Sequence, residues 1–288
     1  MAPVRVKNGA GWEGEIEAGW LRPVIKSPRE IRTLRVRLED LRYLVLMPPE
    51  DVREAMDKGR KPPLSRYPKA SAYIRWGEKR HYPDRPTCRS RKWWWDLGEQ
   101  DQPPVVLNKG INDRHFVTLN SQAFCDQQVY EMLMPHNYSE VVASCLNWTG
   151  TAVFWEQYGR RNFGEGVLWI AVYETSKVLT VTPLYIQKQT EHLLAAFDRL
   201  ASRPIRSIFE ELGFELCRRR QCDDPEHPYE HVQPEALTLE HVKQASPDRF
   251  ELDRVVFDVL NLTDEERLEV YRAVVGLVKD RLVKARSV

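Results

Sequence analysis

S-E-V-V-A-S-C-L-N-W-T-G-T-A-V-F-W-E-Q-Y-G-R-R-N-F-G-E-G-V-L-W-I-A-V-Y, residues 139–173, is the stretch on which the fold class turns. Ser139 suits a helix N-cap, and Val142, Leu146, Val153 and neighbouring aromatics supply an apolar face. One long helix is therefore expected from Ser139 to about Tyr158. Gly159 to Gly166 is too glycine-rich to continue it and is expected as a loop, after which Val167–Tyr173 has strand character. Phe163-Gly164-Glu165-Gly166 superficially resembles a glycine turn for S-adenosylmethionine or a dinucleotide. Such a turn must leave a strand and open a helix, so that ribose or phosphate meets the helix N-terminus. Here the helix comes first and the strand second. The cofactor reading fails, and an open loop remains, with Arg160, Arg161 and Asn162 available to a phosphate backbone.

Outward from this stretch the pattern is equally irregular. Strands are expected at Arg35–Leu38, at Tyr43–Met47 (apolar enough to be buried), at Pro104–Asn108, His115–Leu119, Val129–Met134 and Val178–Val181. A helix is expected over Asp51–Gly59, stopped by Lys61-Pro62-Pro63. Texture changes at Pro183. Helices at Glu191–Ala201 and Pro204–Leu212 follow, the second closed by Gly213, then a polar exposed loop at about 217–244. Leu252, Val255, Val256, Val259 and Leu260 form one stripe. Thr263 to Glu266 is a capping box for a last helix with the stripe Leu268, Tyr271, Val275, Val278, Leu282. The expected fold is α+β: an irregular mixed sheet with packed helices over residues 1–182 and a helical C-terminal region over 183–288.

Function points first to Arg75–Leu97, R-W-G-E-K-R-H-Y-P-D-R-P-T-C-R-S-R-K-W-W-W-D-L. Between Arg60 and Trp95 stand eleven Lys or Arg against only Glu78 and Asp84, in a chain whose net charge is +1. A field so concentrated attracts polyanions, nucleic acid first. The bland reading is a strand and loop with solvated arginines and with Trp93, Trp94 and Trp95 in a core. A solvated face normally mixes signs, however, and this one does not. Arginine also suits phosphates and guanine edges.

Other chemistry finds little support. Cys217-x4-Cys222-x4-His227-x3-His231 offers zinc-ligand types, but usual modules place about a dozen residues between ligand pairs where four stand here. A solvated polar loop is expected instead. Acids around Asp248 lack the Glu-x-Lys partner of a metal nuclease, and acids in the tail recur with Arg/Lys at helix spacing, as on a solvated face. No Ser-His-Asp order and no glycine-lysine phosphate loop occurs. With 42% hydrophobic and 30% charged residues the chain is expected to be a soluble globular protein, and five scattered cysteines suggest a reducing, cytoplasmic setting. No run approaches the roughly 18 apolar residues of a membrane span, and M-A-P-V-R-V-K-N-G lacks a signal core, so export is not expected.

Y-I-R-W-G-E (73–78), R-P-T-C-R-S-R-K-W-W (85–94), N-D-R-H-F (112–116) and Y-G-R-R-N-F-G-E-G-V-L (158–168) resemble the C-terminal target-recognition half of N6-adenine DNA methyltransferases. The group is that of the TaqI-like and Eco57I-like enzymes of restriction–modification systems. R-P-I-R-S-I-F-E-E-L-G-F (203–214) and L-D-R-V-V-F-D-V-L-N-L-T-D-E-E-R (252–267) extend the likeness. In that family catalysis needs a glycine-rich cofactor turn after a strand and an Asn/Asp-Pro-Pro-Tyr/Phe motif. Pro-Pro stands at 48–49, 62–63 and 103–104 with none of those neighbours. The resemblance thus implies a TaqI-like specificity domain that reads duplex DNA and has no catalytic residues. Methyl transfer from S-adenosylmethionine would fall to a catalytic subunit or domain elsewhere. Arg85, Arg89, Arg91, Lys92, Lys109, Arg114, Arg160, Arg161 and Asn162 are the expected DNA contacts, with Trp94 bracing or stacking. A protein–protein assembly subunit of a phage-defence complex is the alternative, and a metal-dependent nuclease a third.

Overall fold

The computed structural model describes residues 2–163, 166–216 and 229–286. The chain gathers into two compact units, one of Met1–Ile25, Leu41–Gln102 and Gln122–Phe124, the other of Lys26–Asp40, Pro103–Ser121 and Cys125–Val288. The units interleave along the sequence. Strands and helices mix without a strand–helix–strand rhythm, and the fold is α+β with a helical C-terminal region.

The first unit starts with an antiparallel hairpin of β1 (Pro3–Lys7) and β2 (Glu13–Glu17). Asn8 shapes its turn: Oδ1 accepts the N–H groups of Ala10 and Trp12, and Gly11 takes a φ of 85°. β3 (Leu21–Ile25) pairs antiparallel with β4 (Tyr43–Leu46). The expectation that β4 is buried fails, because it is an edge strand with Tyr43 and Leu44 each nearly half exposed. α1 (Glu50–Asp57) is the expected helix and buries Val52, Ala55 and Met56.

The basic stretch differs from the strand-and-loop reading: it contains α2 (Pro68–Lys79) and the single turn α3 (Pro86–Arg89). Local reasons are visible. Pro68 is pre-organised for a first helical position, and Ala70, Ile74 and Gly77 recur at helical spacing on the buried side. Tyr67 at the N-cap supplies no side-chain acceptor. Glu17 substitutes for it from β2, its two oxygens accepting the N–H groups of Lys69 (2.9 Å) and Ala70 (2.8 Å). Ile16, Trp20, Val52, Met56, Ala70, Ile74 and Trp95 close the core.

In the second unit, β5 (Val105–Asn108) is buried at every residue. It forms its own sheet's central strand. A second antiparallel sheet contains β6 (Gly110–Ile111), reached from β5 through Lys109 alone. β5 pairs with β7 (Val117–Leu119) on one side and β8 (Val129–Met132) on the other, both antiparallel.

The long helix expected from Ser139 is two, α4 (His136–Asn147) and α5 (Gly150–Tyr158). Tertiary hydrogen bonds break it. Asn147 accepts the N–H of Val117 and donates to its carbonyl, while Thr149 donates its N–H and hydroxyl to Asp253 at 2.7 and 2.6 Å. Between them Trp148 turns extended and lays its ring where a side chain at Gly150 would stand. Ser139 lies inside the first turn and donates to the His136 carbonyl, so it is not the cap.

The expected loop Gly159–Gly166 contains β9 (Arg160–Phe163), paired with β10 (Val167–Trp169), which in turn pairs with β6. Strand structure ends at Trp169 and not Tyr173, because Glu174 accepts the Ala171 N–H and opens α6 (Val172–Thr175). Val178–Val181 forms no strand, and Arg35–Leu38 contributes only a single bridge from Arg35 to Leu119.

α7 (Thr190–Ala201) is as expected, but Pro204–Leu212 yields only α8 (Ile208–Glu211). The Ile205 N–H bonds the Arg32 carbonyl instead of a helical partner, and Ser207 caps the shorter helix. Of the loop expected at 217–244, residues 217–228 lie outside the described residues. The remainder is not an exposed loop: Tyr229, Val232, Leu237 and Val242 are buried and α9 spans Leu239–Ala245. α10 (Pro247–Val259) packs on α7, and α11 (Asp264–Arg286) packs on α5. Thr263 and Glu266 form the expected capping box, and Tyr271, Val275, Val278 and Leu282 are buried along the expected stripe.

Candidate nucleic-acid interface

In the first unit, the basic turn after α2 stands on a run of aromatic rings. Trp12 meets Tyr73 at 4.5 Å between centroids, Tyr73 stacks on Trp76, Trp76 meets Tyr82 edge-on, and Tyr82 meets Trp94 at 6.2 Å. Such pairs contribute about 0.5–1.5 kcal/mol each beyond the area they bury. Trp94 lies across Gly77, where a Cβ would overlap its indole. Its Nε1 is buried and has no acceptor. The geometry gives Trp94 a bracing position, with its ring face covered by α2. Arg53 adds a clamp to the far side of the turn, donating two hydrogen bonds to Asp96 at 2.9 and 2.8 Å.

On this support Arg85, Arg89, Arg91 and Lys92 are all exposed. None has a carboxylate partner among the described residues; Arg85 lies instead over the Tyr82 ring, 4.0 Å from its centre. Four cations held this way form a surface whose counter-charges must come from solvent ions or a bound polyanion.

In the second unit the expected contacts fare differently. Lys109, at the β5–β6 junction, donates to the Gln127 carbonyl and sits 4.6 Å from the Tyr130 ring centre. Arg114 is half-buried against Phe116, has no carboxylate partner among the described residues, and lines a groove of about 410 Å³. Arg160 is exposed but paired with Glu174 at 2.6 Å and with the Tyr173 hydroxyl. Arg161 is exposed and donates to the Glu156 carbonyl at 3.0 Å. Asn162 belongs to β9, and its side chain lies outside the described residues. The structure therefore brings Arg85, Arg89, Arg91 and Lys92 together in one unit, and Lys109, Arg114, Arg160 and Arg161 into a sheet corner of the other.

Sequence reasoning missed what holds that corner. Glu156 is fully buried and receives His115 Nε2 at 2.8 Å and Arg281 at 2.7 and 2.8 Å. Burial alone would raise the Glu156 carboxyl. Hydrogen bonds from His115 and Arg281 outweigh it and hold the group down at about 2. Arg281 also donates to the carbonyls of Asn112 and Gly166. One guanidinium on α11 thus ties the Asn112–Phe116 loop to the end of the β9–β10 hairpin. His115 lies within a noted motif, and Arg281 is a cation beside the apolar stripe of α11; together these were the available signals.

Of the zinc-type residues, Cys217, Cys222 and His227 lie outside the described residues, and His231 donates to the Glu215 carbonyl at 2.8 Å. Among the described residues no group of three His, Cys, Asp or Glu is placed to hold a metal, and no helix is long and apolar enough to cross a membrane.

Residues 53–211 match the family of the C-terminal domain of type II methyltransferase M.Eco57I, more than half of the 288 residues. The chain belongs to this family. The matched segment takes in the basic turn, the Asn112–Phe116 loop and the β9–β10 hairpin of this Eco57I-type domain. No curated protein matches the chain, and no solved structure matches it.

Proposed function

We propose that this domain grips duplex DNA as the target-recognition part of an N6-adenine methyltransferase. The observation that carries the reading is the set of exposed cations without carboxylate partners, Arg85, Arg89, Arg91 and Lys92, on an aromatic brace inside the matched segment. Building such a turn places like charges side by side without internal neutralisation, an arrangement that a phosphate backbone relieves. Arg114 and, once released from their internal partners, Lys109, Arg160 and Arg161 would add contacts from the second unit. No adenine-positioning motif occurs in the sequence. S-adenosylmethionine and base flipping are accordingly assigned to a catalytic subunit or domain outside these residues.

Gel-shift titration of the full chain with duplex DNA tests the reading. Binding is expected at low salt, weakening steeply as salt rises, and Arg89→Ala with Arg91→Ala is expected to reduce it. No binding at low salt, or no effect of the double substitution, would overturn it.

A second reading is carried by Leu184 and Tyr185, which are 82% and 79% exposed. Neighbouring large apolar side chains so open to water suit a protein docking point. An isolated chain that captures a methyltransferase or helicase subunit but has no DNA affinity would favour assembly over recognition.

A further inference from the structure

The second unit's groove differs in chemistry from the basic turn, and the difference suggests a division of labour. Arg114 contributes a guanidinium to it, steadied against Phe116 at 5.6 Å and in no ion pair among the described residues, with Asp113 also lining the groove. Asn112 and Gln128 line it with exposed amides that have no side-chain partner among the described residues. Arg29 lines it with a second guanidinium that has no carboxylate partner among the described residues. Asn108, which also lines the groove, is 5% exposed; its Nδ2 donates to the Phe116 carbonyl while Oδ1 has no hydrogen-bond partner among the described residues.

A buried acceptor left unpaired is costly, and at a groove it points to a donor brought by a ligand. Amides and a planar guanidinium are also the side chains that match base edges. Asn or Gln pairs with adenine N6 and N7, and Arg with guanine O6 and N7. Phosphate needs only positive charge and N–H groups, which is what the basic turn of the first unit offers. The backbones of two groove-lining residues are fixed by the frame already described. Asn108 ends the buried central strand β5, and Asn112 gives its carbonyl to Arg281. A reader of bases requires such a frame, because a slack amide selects nothing.

We propose, resting on the DNA-binding reading above, that this groove reads base edges in duplex DNA, with Arg114 and Gln128 as specificity-determining residues and Asn108 as the acceptor for a base amino group. The basic turn supplies sequence-independent grip.

The test is selection from a randomised duplex library by the full chain at fixed low salt, followed by sequencing. Wild-type protein is expected to enrich a defined motif. Arg114→Gln and Gln128→Ala are each expected to change base preference at one or two positions by about fivefold or more. Affinity of these variants for unrelated duplex should stay within a few-fold. Arg89→Ala with Arg91→Ala should weaken binding to all sequences and leave the motif unchanged. Gln128 is exposed, so its substitution keeps the test decisive if Arg114→Gln misfolds. Enrichment of a motif that neither groove variant alters would overturn the proposal while leaving duplex binding intact. Duplex binding with no motif enriched would overturn it equally. Absence of any duplex binding would remove the underlying reading, and this one with it.

Discussion

Glu156→Gln tests the frame on which the second unit's loops depend. The side chains of Glu156, Arg281 and His115 are 0%, 1% and 4% exposed, so water cannot compensate for a missing charge. Glutamine keeps the shape of the carboxylate but removes its charge and one of the two oxygens that accept from Arg281, whose other acceptors are the Gly166 and Asn112 carbonyls. Stranding one partner of a buried ion pair costs on the order of 3–5 kcal/mol. The pH dependence gives a second, independent magnitude. Glu156 ionises at about 2 in the folded chain against an ordinary value of 4.5. A folded-state value lowered in this way stabilises above the unfolded value, and the contribution disappears as pH falls from about 4.5 toward 2. At about 1.4 kcal/mol per pH step, the loss amounts to roughly 3 kcal/mol. Urea unfolding followed by near-ultraviolet circular dichroism should show wild-type stability falling over that acidic window. The variant should start about 3–5 kcal/mol lower at neutral pH and have a flatter acid limb. A variant within about 1 kcal/mol of wild type, or one that keeps the full acid slope, would show that Glu156 is not the counter-charge of Arg281.

Four further outcomes follow from the two units taken separately. Arg89→Ala with Arg91→Ala should lower the slope of log affinity against log salt by about 2, measured by fluorescence anisotropy on duplex DNA, since each phosphate contact contributes about 0.9. Gly77→Ala forces a methyl into the Trp94 indole and should destabilise the first unit by about 1–3 kcal/mol in chemical denaturation. Glu17→Ala removes both acceptors from the start of α2 and should cost about 1–2 kcal/mol, with Glu17→Gln recovering part of it. Glu174→Gln releases exposed Arg160 and should strengthen low-salt duplex binding a few-fold in gel shifts; unchanged affinity would remove Arg160 from the interface.

What the sequence made legible were the features that local chemistry controls alone. The strand β5, the helix α7, the stripe of α11 and the Thr263–Glu266 box appear where spacing and capping chemistry place them. What it hid were elements decided by distant partners. α2 takes its N-terminal acceptors from Glu17 on β2, so its basic, aromatic sequence reads as loop when scanned alone. The break between α4 and α5 is likewise set by Val117 and Asp253, residues 30 and 104 positions from those they bind. At the candidate site, charge accumulation identified the exposed cations. It did not separate Arg89, without a carboxylate, from Arg160, already paired with Glu174, because that distinction depends on a helix turn only four residues long.

The tail illustrates how far such control extends. The matched family segment ends at residue 211, yet the Asn112–Phe116 loop with Arg114 and the β9–β10 hairpin with Arg161 are both held by Arg281, 70 positions further on. Glu211 is held chiefly from within the segment, by Arg203 at 2.6 Å, and Arg203 in turn binds Asp248 on α10. Burial would raise the Glu211 carboxyl, and Arg203 and Arg249 pull it below its ordinary value instead. Two buried carboxylates inside the matched segment therefore draw counter-charge from helices beyond it. Cutting the chain after the matched segment would strand Glu156 without Arg281, a change in the several-kcal/mol range for a buried ion, and would leave Glu211 with Arg203 but without Arg249. The second unit therefore needs α10 and α11 to keep these loops in place. A fragment ending at residue 211 would lose groove geometry together with stability, whatever charge its surface kept.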